Sequence, residues 1–116
     1  MTDWIRVDID LLDHIKIVRL SKINGEPEYS TAGRLIALWS FTQIHAWKDG
    51  DLSEWGVRRI ESICRWDGQS GLFYKALNDV HLLDDMKIHN WHQYATRYIQ
   101  QRVRRERLGK KQKGYK

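Results

Sequence analysis

Between Leu52 and Trp91 the hydrophobic positions change period twice. Val57, Ile60 and Ile63/Cys64 recur at helical spacing, which predicts a helix over about residues 54–64 with one apolar face. Trp66-Asp67-Gly68 breaks that pattern, because Asp and Gly favour turns and Gly accepts a positive φ. Leu72, Phe73, Ala76, Leu77 and Val80 then share one face of a second helix over about 69–79, leaving Tyr74, Lys75 and Asn78 to point outward. Leu82-Leu83 and Ile88 flank Asp84-Asp85-Met86-Lys87, the pattern of two short strands joined at a polar tip.

Upstream, Ile5 to Ile9 alternates apolar and polar and reads as a short strand. A helix over about 11–23 follows, with Asp10 or Asp13 as cap and Leu11, Ile15 and Val18 inward, and Asn24-Gly25 ends it. Ser30 reads as the N-cap of a long helix to about Trp47, buried through Leu35, Leu38, Trp39, Thr42 and Ala46. Lys48-Asp49-Gly50 is a turn, and Asp51-Leu52-Ser53 adds a short strand. Asn90 and Gln93 have the spacing of a capping box for a last helix, whose stripe (Trp91, Tyr94, Ala95, Tyr98, Ile99, Val103) fades into Arg104-Arg105-Glu106-Arg107. The expected fold is mainly α (α+β): a winged helix-turn-helix with an added N-terminal strand and helix and a basic C-terminal helix. Residues 1–93 form the folded domain and 94–116 the basic helix and tail. Modules of this kind dock their second helix in the DNA major groove.

A chain of 116 residues, 41% apolar with six Trp, holds one packed domain without staples. Trp39, Trp55 and Trp91 read as core, Trp47 and Trp66 as partly exposed helix-end residues, and an exposed Trp4 would mark a self-association surface. The single cysteine, Cys64, excludes an internal disulfide and reads as a buried thiol in a reducing compartment. No apolar run reaches the ~18 residues of a membrane span, and Met-Thr-Asp-Trp lacks a signal-peptide layout. The expected location is therefore cytoplasmic. Charge is divided unevenly. Residues 1–90 carry 11 Lys and Arg against 14 Asp and Glu, net −3, whereas residues 91–116 carry 9 against one, net +8. A basic arm on a mildly acidic body suits nucleic acid or an acidic partner.

Several scattered positions carry a resemblance: Trp4-Ile5-Arg6-Val7, Asp13-His14 with Lys16, Gly33 through Leu38-Trp39, Gly50-Asp51-Leu52, Ala76-Leu77 through Leu82-Leu83-Asp84, and Ile88-His89-Asn90-Trp91-His92 ahead of a basic helix. Over about residues 4–107 the chain resembles the N-terminal winged-helix domain of phage and prophage replication-initiation proteins, the replisome-organiser or DnaD-like group. The resemblance implies self-association through the N-terminal strand and helix, binding of origin or single-stranded DNA, and recruitment of the replicative helicase or its loader. Such proteins usually continue into a second domain, whereas this chain stops in a Lys-rich tail, as a fragment or a stand-alone short member would.

The strongest candidate chemistry is the basic tail. Arg97, Arg102, Arg104, Arg105, Arg107, Lys110, Lys111 and Lys113 offer phosphate contacts, interleaved with Tyr94, Tyr98 and Tyr115 that can stack unpaired bases. The bland alternative is a solvated helix end or a linker. Arg58, Arg59 and Arg65, on the first helix of the helix-turn-helix, can clamp a phosphate, or pair with Glu54, Glu61 or Asp67 at the surface. Tyr74, Lys75 and Asn78 can read base edges, Asn taking adenine and Lys guanine, or form an ordinary solvent face. Lys75 is the only Lys or Arg between Trp66 and Met86, with Asp67, Asp79, Asp84 and Asp85 around it.

No cofactor or metal is implied. The His89–His92 stretch lacks the three or four ligands zinc needs. Asp85-Met86-Lys87 has too few carboxylates for metal-assisted cleavage, and Asp67-Gly68-Gln69-Ser70-Gly71 lacks the Lys-Ser/Thr of a phosphate loop. The expected function is non-catalytic DNA binding, duplex or single strand, in replication initiation. Two rivals are a transcriptional regulator of the same fold and a docking module for helicase or loader that does not read DNA.

Overall fold

A computed structural model of the chain describes residues 4–94, 101 and 104–108. It is mainly helical, with one small antiparallel sheet. A 3-10 turn, Leu11–Asp13, leads into α1 (Ile15–Asn24) and α2 (Glu28–His45). Then come α3 (Gly56–Ile63), α4 (Leu72–Asp79), β1 (Leu83–Asp84), β2 (Lys87–Ile88) and α5 (Trp91–Tyr94).

The helices expected from periodicity form with shifted ends, and local chemistry explains the shifts. His14 is extended at ψ 135° and interrupts the expected helix over about 11–23. Its Nδ1, not an aspartate, accepts the Lys16 N–H at 3.2 Å and caps α1. Gly25 ends α1 in the left-handed conformation, and Glu26 N–H returns to the Ser21 carbonyl. α2 begins two residues before Ser30, because Pro27 presets the helical entry and its carbonyl accepts from Ser30 and Thr31.

The core is a single cluster in which α2 packs on both α1 and α3, and α4 packs on α1, α3 and β1. Ile17 and Leu20 of α1 meet Leu35 and Leu38 of α2, Ile60 and Cys64 from α3, and Phe73 and Leu77 of α4. Leu83 and Ile88 pair across the hairpin, and both belong to this core. Of the tryptophans expected inside, Trp91 is buried, its indole N–H donating to the Trp47 carbonyl at 2.8 Å. Trp39 and Trp55 are only half-buried. The expected strand over 51–53 is reduced to one bridge, Asp51 with Lys87, beside which Leu52 N–H reaches the Met86 carbonyl at 2.8 Å.

The expected N-terminal strand is not present. Residues 5–8 have no regular secondary structure, and residues 9 and 10 form a turn. Each hairpin strand offers two residues of edge, and the second edge of β2 already meets Asp51. The segment is fixed instead by side chains reaching to backbone: Gln43 Nε2 donates to the Trp4 carbonyl at 2.6 Å, and Arg6 donates to the Gln93 carbonyl at 3.1 Å. Beneath it lies a cavity of about 30 Å³ lined by Ile5, Leu11, Ile17, Trp39, Leu82 and Trp91 among others. That is room for a water or two. Trp4 and Ile9 point outward, 69% and 105% exposed.

Cys64 is fully buried, and burial pushes its thiol up to about 12. The thiolate, which is the reactive form, is therefore scarce at neutral pH. A thiol reagent such as DTNB is expected to leave the folded protein unlabelled at pH 8 and to titrate one thiol after denaturation. Rapid labelling of the native chain would contradict this packing. Among the described residues no helix is long and apolar enough to cross a membrane.

Candidate nucleic-acid interface

The apolar face of α3 turns Ile60 and Ile63 inward and leaves Arg58 and Arg59 exposed on the opposite side. The Arg59 guanidinium lies 5.8 Å from the centroid of the Phe41 ring. Neither arginine forms an ion pair among the described residues. The surface pairing with Glu61 that the sequence allows is not made, because Glu61 is turned inward and 5% exposed. Its carboxylate accepts the N–H groups of Gly71 at 2.8 Å, Phe73 at 3.0 Å and Tyr74 at 3.1 Å. It thus caps α4 from the neighbouring helix. A carboxylate there satisfies amides that have no partner within their own helix and matches the positive end of the helix dipole.

The outward set of α4 is largely engaged within the protein. The Tyr74 hydroxyl donates to Asp85 Oδ1 at 2.7 Å, and this hydrogen bond is the main cause that raises the Tyr74 pKa above its ordinary value. Asn78 accepts the Asp85 N–H at 2.7 Å and donates to the Tyr74 carbonyl. Asp85 sits at φ 58°, so Asn78 and Tyr74 hold the hairpin tip in a left-handed turn. Lys75 pairs with Asp79 one helical turn on, at 3.1 Å. At the base of the hairpin, His89 Nδ1 lies 2.7 Å from Asp84 Oδ2. A ligand reading base edges from α4 would have to break several of these contacts, beside the exposed acids Asp84 and Asp85.

In the C-terminal segment, residues 104–108 are helical, and Arg104, Arg105 and Arg107 are exposed. Glu106 pairs with Lys48, in the turn after α2, at 3.1 Å. Arg97, Arg102, Lys110, Lys111 and Lys113 lie outside the described residues.

Sequence reasoning missed Arg34. Its guanidinium is forked onto the Glu26 carboxylate at 3.0 to 3.2 Å and donates to the Cys64 and Arg65 carbonyls at the end of α3. It also stands 5.3 Å from the Trp66 ring centroid. The hydrogen bond to Glu26 is the main cause that raises the Arg34 pKa. Nothing local in the sequence signals Arg34 or the capping role of Glu61. Both act across separations of 8 to 31 residues, beyond the reach of helical spacing.

Among the described residues no three His, Cys, Asp or Glu side chains converge on a site that could hold a metal ion. The arrangement offers guanidinium groups on two exposed surfaces with no ion pair among the described residues, which is chemistry suited to phosphate. No family model, no curated protein and no solved structure matches the chain.

Proposed function

We propose that the chain is a non-catalytic DNA-binding domain of winged-helix type, acting in the initiation of phage or prophage DNA replication. The carrying observation is the separation of charge. The last 26 residues hold a net +8, with Arg104, Arg105 and Arg107 exposed, against a net −3 over the rest. The order α3, turn, α4, hairpin, with residues 50–52 running beside β2, supports the winged-helix reading. DNA is captured electrostatically by the C-terminal segment, and the folded body orients it. The role in replication, with recruitment of helicase or loader, rests on the sequence resemblance alone.

A second reading, a docking or self-association module, is favoured by one specific observation. Trp4, Val7, Ile9, Leu12 and Ile15 are all exposed within one N-terminal stretch. Clustered apolar exposure of this kind marks contact surfaces.

Fluorescence anisotropy with a labelled duplex and a labelled single strand, across a salt series, tests the DNA reading. The full chain is compared with a variant in which Arg104, Arg105 and Arg107 become Gln, with circular dichroism as the folding control. The slope of log K against log salt is expected to become shallower by about 2 to 3 on duplex and about 2 on single strand. Absence of binding by the unmodified chain at low salt would discard the DNA reading and leave the docking one.

A further inference from the structure

Resting on the DNA-binding reading, we infer that the folded body presents α3, and not α4, to the DNA backbone. The seat is an open groove in which a backbone phosphate is held between Arg58 and Arg65, with the Ser62 and Ser70 hydroxyls as further donors. Arg58 and Ser62 stand four residues apart on one face of α3, Arg65 follows just beyond its C-terminal end, and all three are exposed.

Three observations converge on this groove. First, its two guanidinium groups form no ion pair among the described residues. The acid that also lines it, Glu61, has its oxygens taken by three α4 amides. Asp67, in the turn beyond, is exposed and acts electrostatically on Arg34.

Second, Arg65 sits at φ 61° at the end of α3, in the left-handed position where helices usually place glycine. Among the described residues four non-glycine positions have positive φ: Arg65, His81, Asp85 and Asn90. The other three belong to the types that tolerate this region best; arginine does not. A strained conformation kept by an exposed cation points to use of that cation. Among the described residues its Nη1 makes only long contacts, 3.4 Å each, to the Ser62 and Ile63 carbonyls.

Third, the competing surface is occupied. Tyr74 and Asn78 are bonded to the acidic hairpin tip, and Lys75 is paired with Asp79. Phosphate contacts position a protein on DNA without reading its sequence, so the body binds in a sequence-tolerant way.

The test uses the full chain with Arg58→Ala, Arg65→Gly, their combination, and Lys75→Ala as comparison. Each is titrated into two unrelated labelled duplexes and one single strand across a salt series, and melted by circular dichroism. Each α3 substitution is expected to make the duplex salt slope shallower by about 1, the pair by about 2, equally on both duplexes. Lys75→Ala should leave the slope unchanged. Arg65→Gly should melt a few degrees higher while binding more weakly, because relief of a left-handed conformation is stabilising; a merely structural arginine would lower both.

Backbone amide shifts on adding a short oligonucleotide give an independent readout, expected at Ser62, Arg65 and Ser70. Wild-type slope and affinity in the combined variant would overturn the inference while leaving the tail-based reading standing. So would loss of slope in Lys75→Ala, or shifts confined to 72–79. No binding by the unmodified chain would remove both readings.

Discussion

Gly50→Ala is expected to destabilise the protein by about 4 kcal/mol and to lower its melting midpoint by on the order of 15 °C. Gly50 is held at φ +68°, and a Cβ built there would stand 2.7 Å from both Cβ and Cγ of Trp91 and 3.3 Å from Cβ of Ile88. These are atoms at or next to the backbone of a buried tryptophan and a strand residue, so no flexible side-chain end can swing aside. Gly50 also takes its place in the hydrogen bonding: its N–H reaches the Ala46 carbonyl at 2.8 Å, and its carbonyl accepts from Ile88 at 2.9 Å. The turn therefore cannot retreat without releasing β2. The left-handed conformation alone costs an L-residue about 1–2 kcal/mol, and overpacking adds about 1–3. Gly25→Ala separates the two contributions. Gly25 has φ +66° with nothing within 4 Å of the added Cβ, so it should lose only the backbone part, about 1 kcal/mol. Equal melting midpoints for the two variants would refute the close approach of Gly50 to Trp91.

Glu61→Ala is expected to cost about 3 kcal/mol, since bonds to a charged partner contribute about 1.5–3 kcal/mol each and their loss is partly offset by water. The three amides it serves begin α4, and Phe73 is fully buried, so its N–H cannot easily turn to solvent. Glu61→Gln should cost less, about 1.5 kcal/mol. A single amide oxygen can replace Oε2, which accepts from Phe73 and Tyr74, while the amide nitrogen would face the Gly71 N–H donor. Urea unfolding of the wild type and both variants gives the ordering. If Glu61→Ala were within 0.5 kcal/mol of wild type, roughly the noise of a surface substitution, the cap would be no support for α4. Since α4 carries Tyr74 and Asn78, which fix the hairpin tip, the same variant should also loosen the hairpin. Amide exchange at Asp85 reads that out, because its N–H is bonded to Asn78.

The sequence by itself determined the helical body and the inward faces of α3 and α4, but not that of α1, where Ile15, expected inside, is exposed and Ile17 is buried. Ile60, Ile63, Phe73, Ala76, Leu77 and Val80 fall inside as their periodicity requires, because burial of one face dictates the spacing of apolar residues. The polar tip between Leu83 and Ile88 is legible for the same reason, and so is the uneven charge, which needs no fold to be read. Helix ends were less legible. Pro27 and His14 won over Ser30 and the aspartates through local backbone geometry. The strand expected at 5–9 was lost because alternation describes a face but cannot supply an edge to pair with. Tertiary structure alone decided the fate of the polar residues. Whether Glu61 faces an arginine or the amides of α4 depends on how α3 and α4 meet. Whether Tyr74 and Asn78 are free depends on where the hairpin tip lands. Polar side chains are satisfied by whichever partner the fold brings within about 3 Å, and that partner is set by packing of the apolar faces, not by distance along the chain.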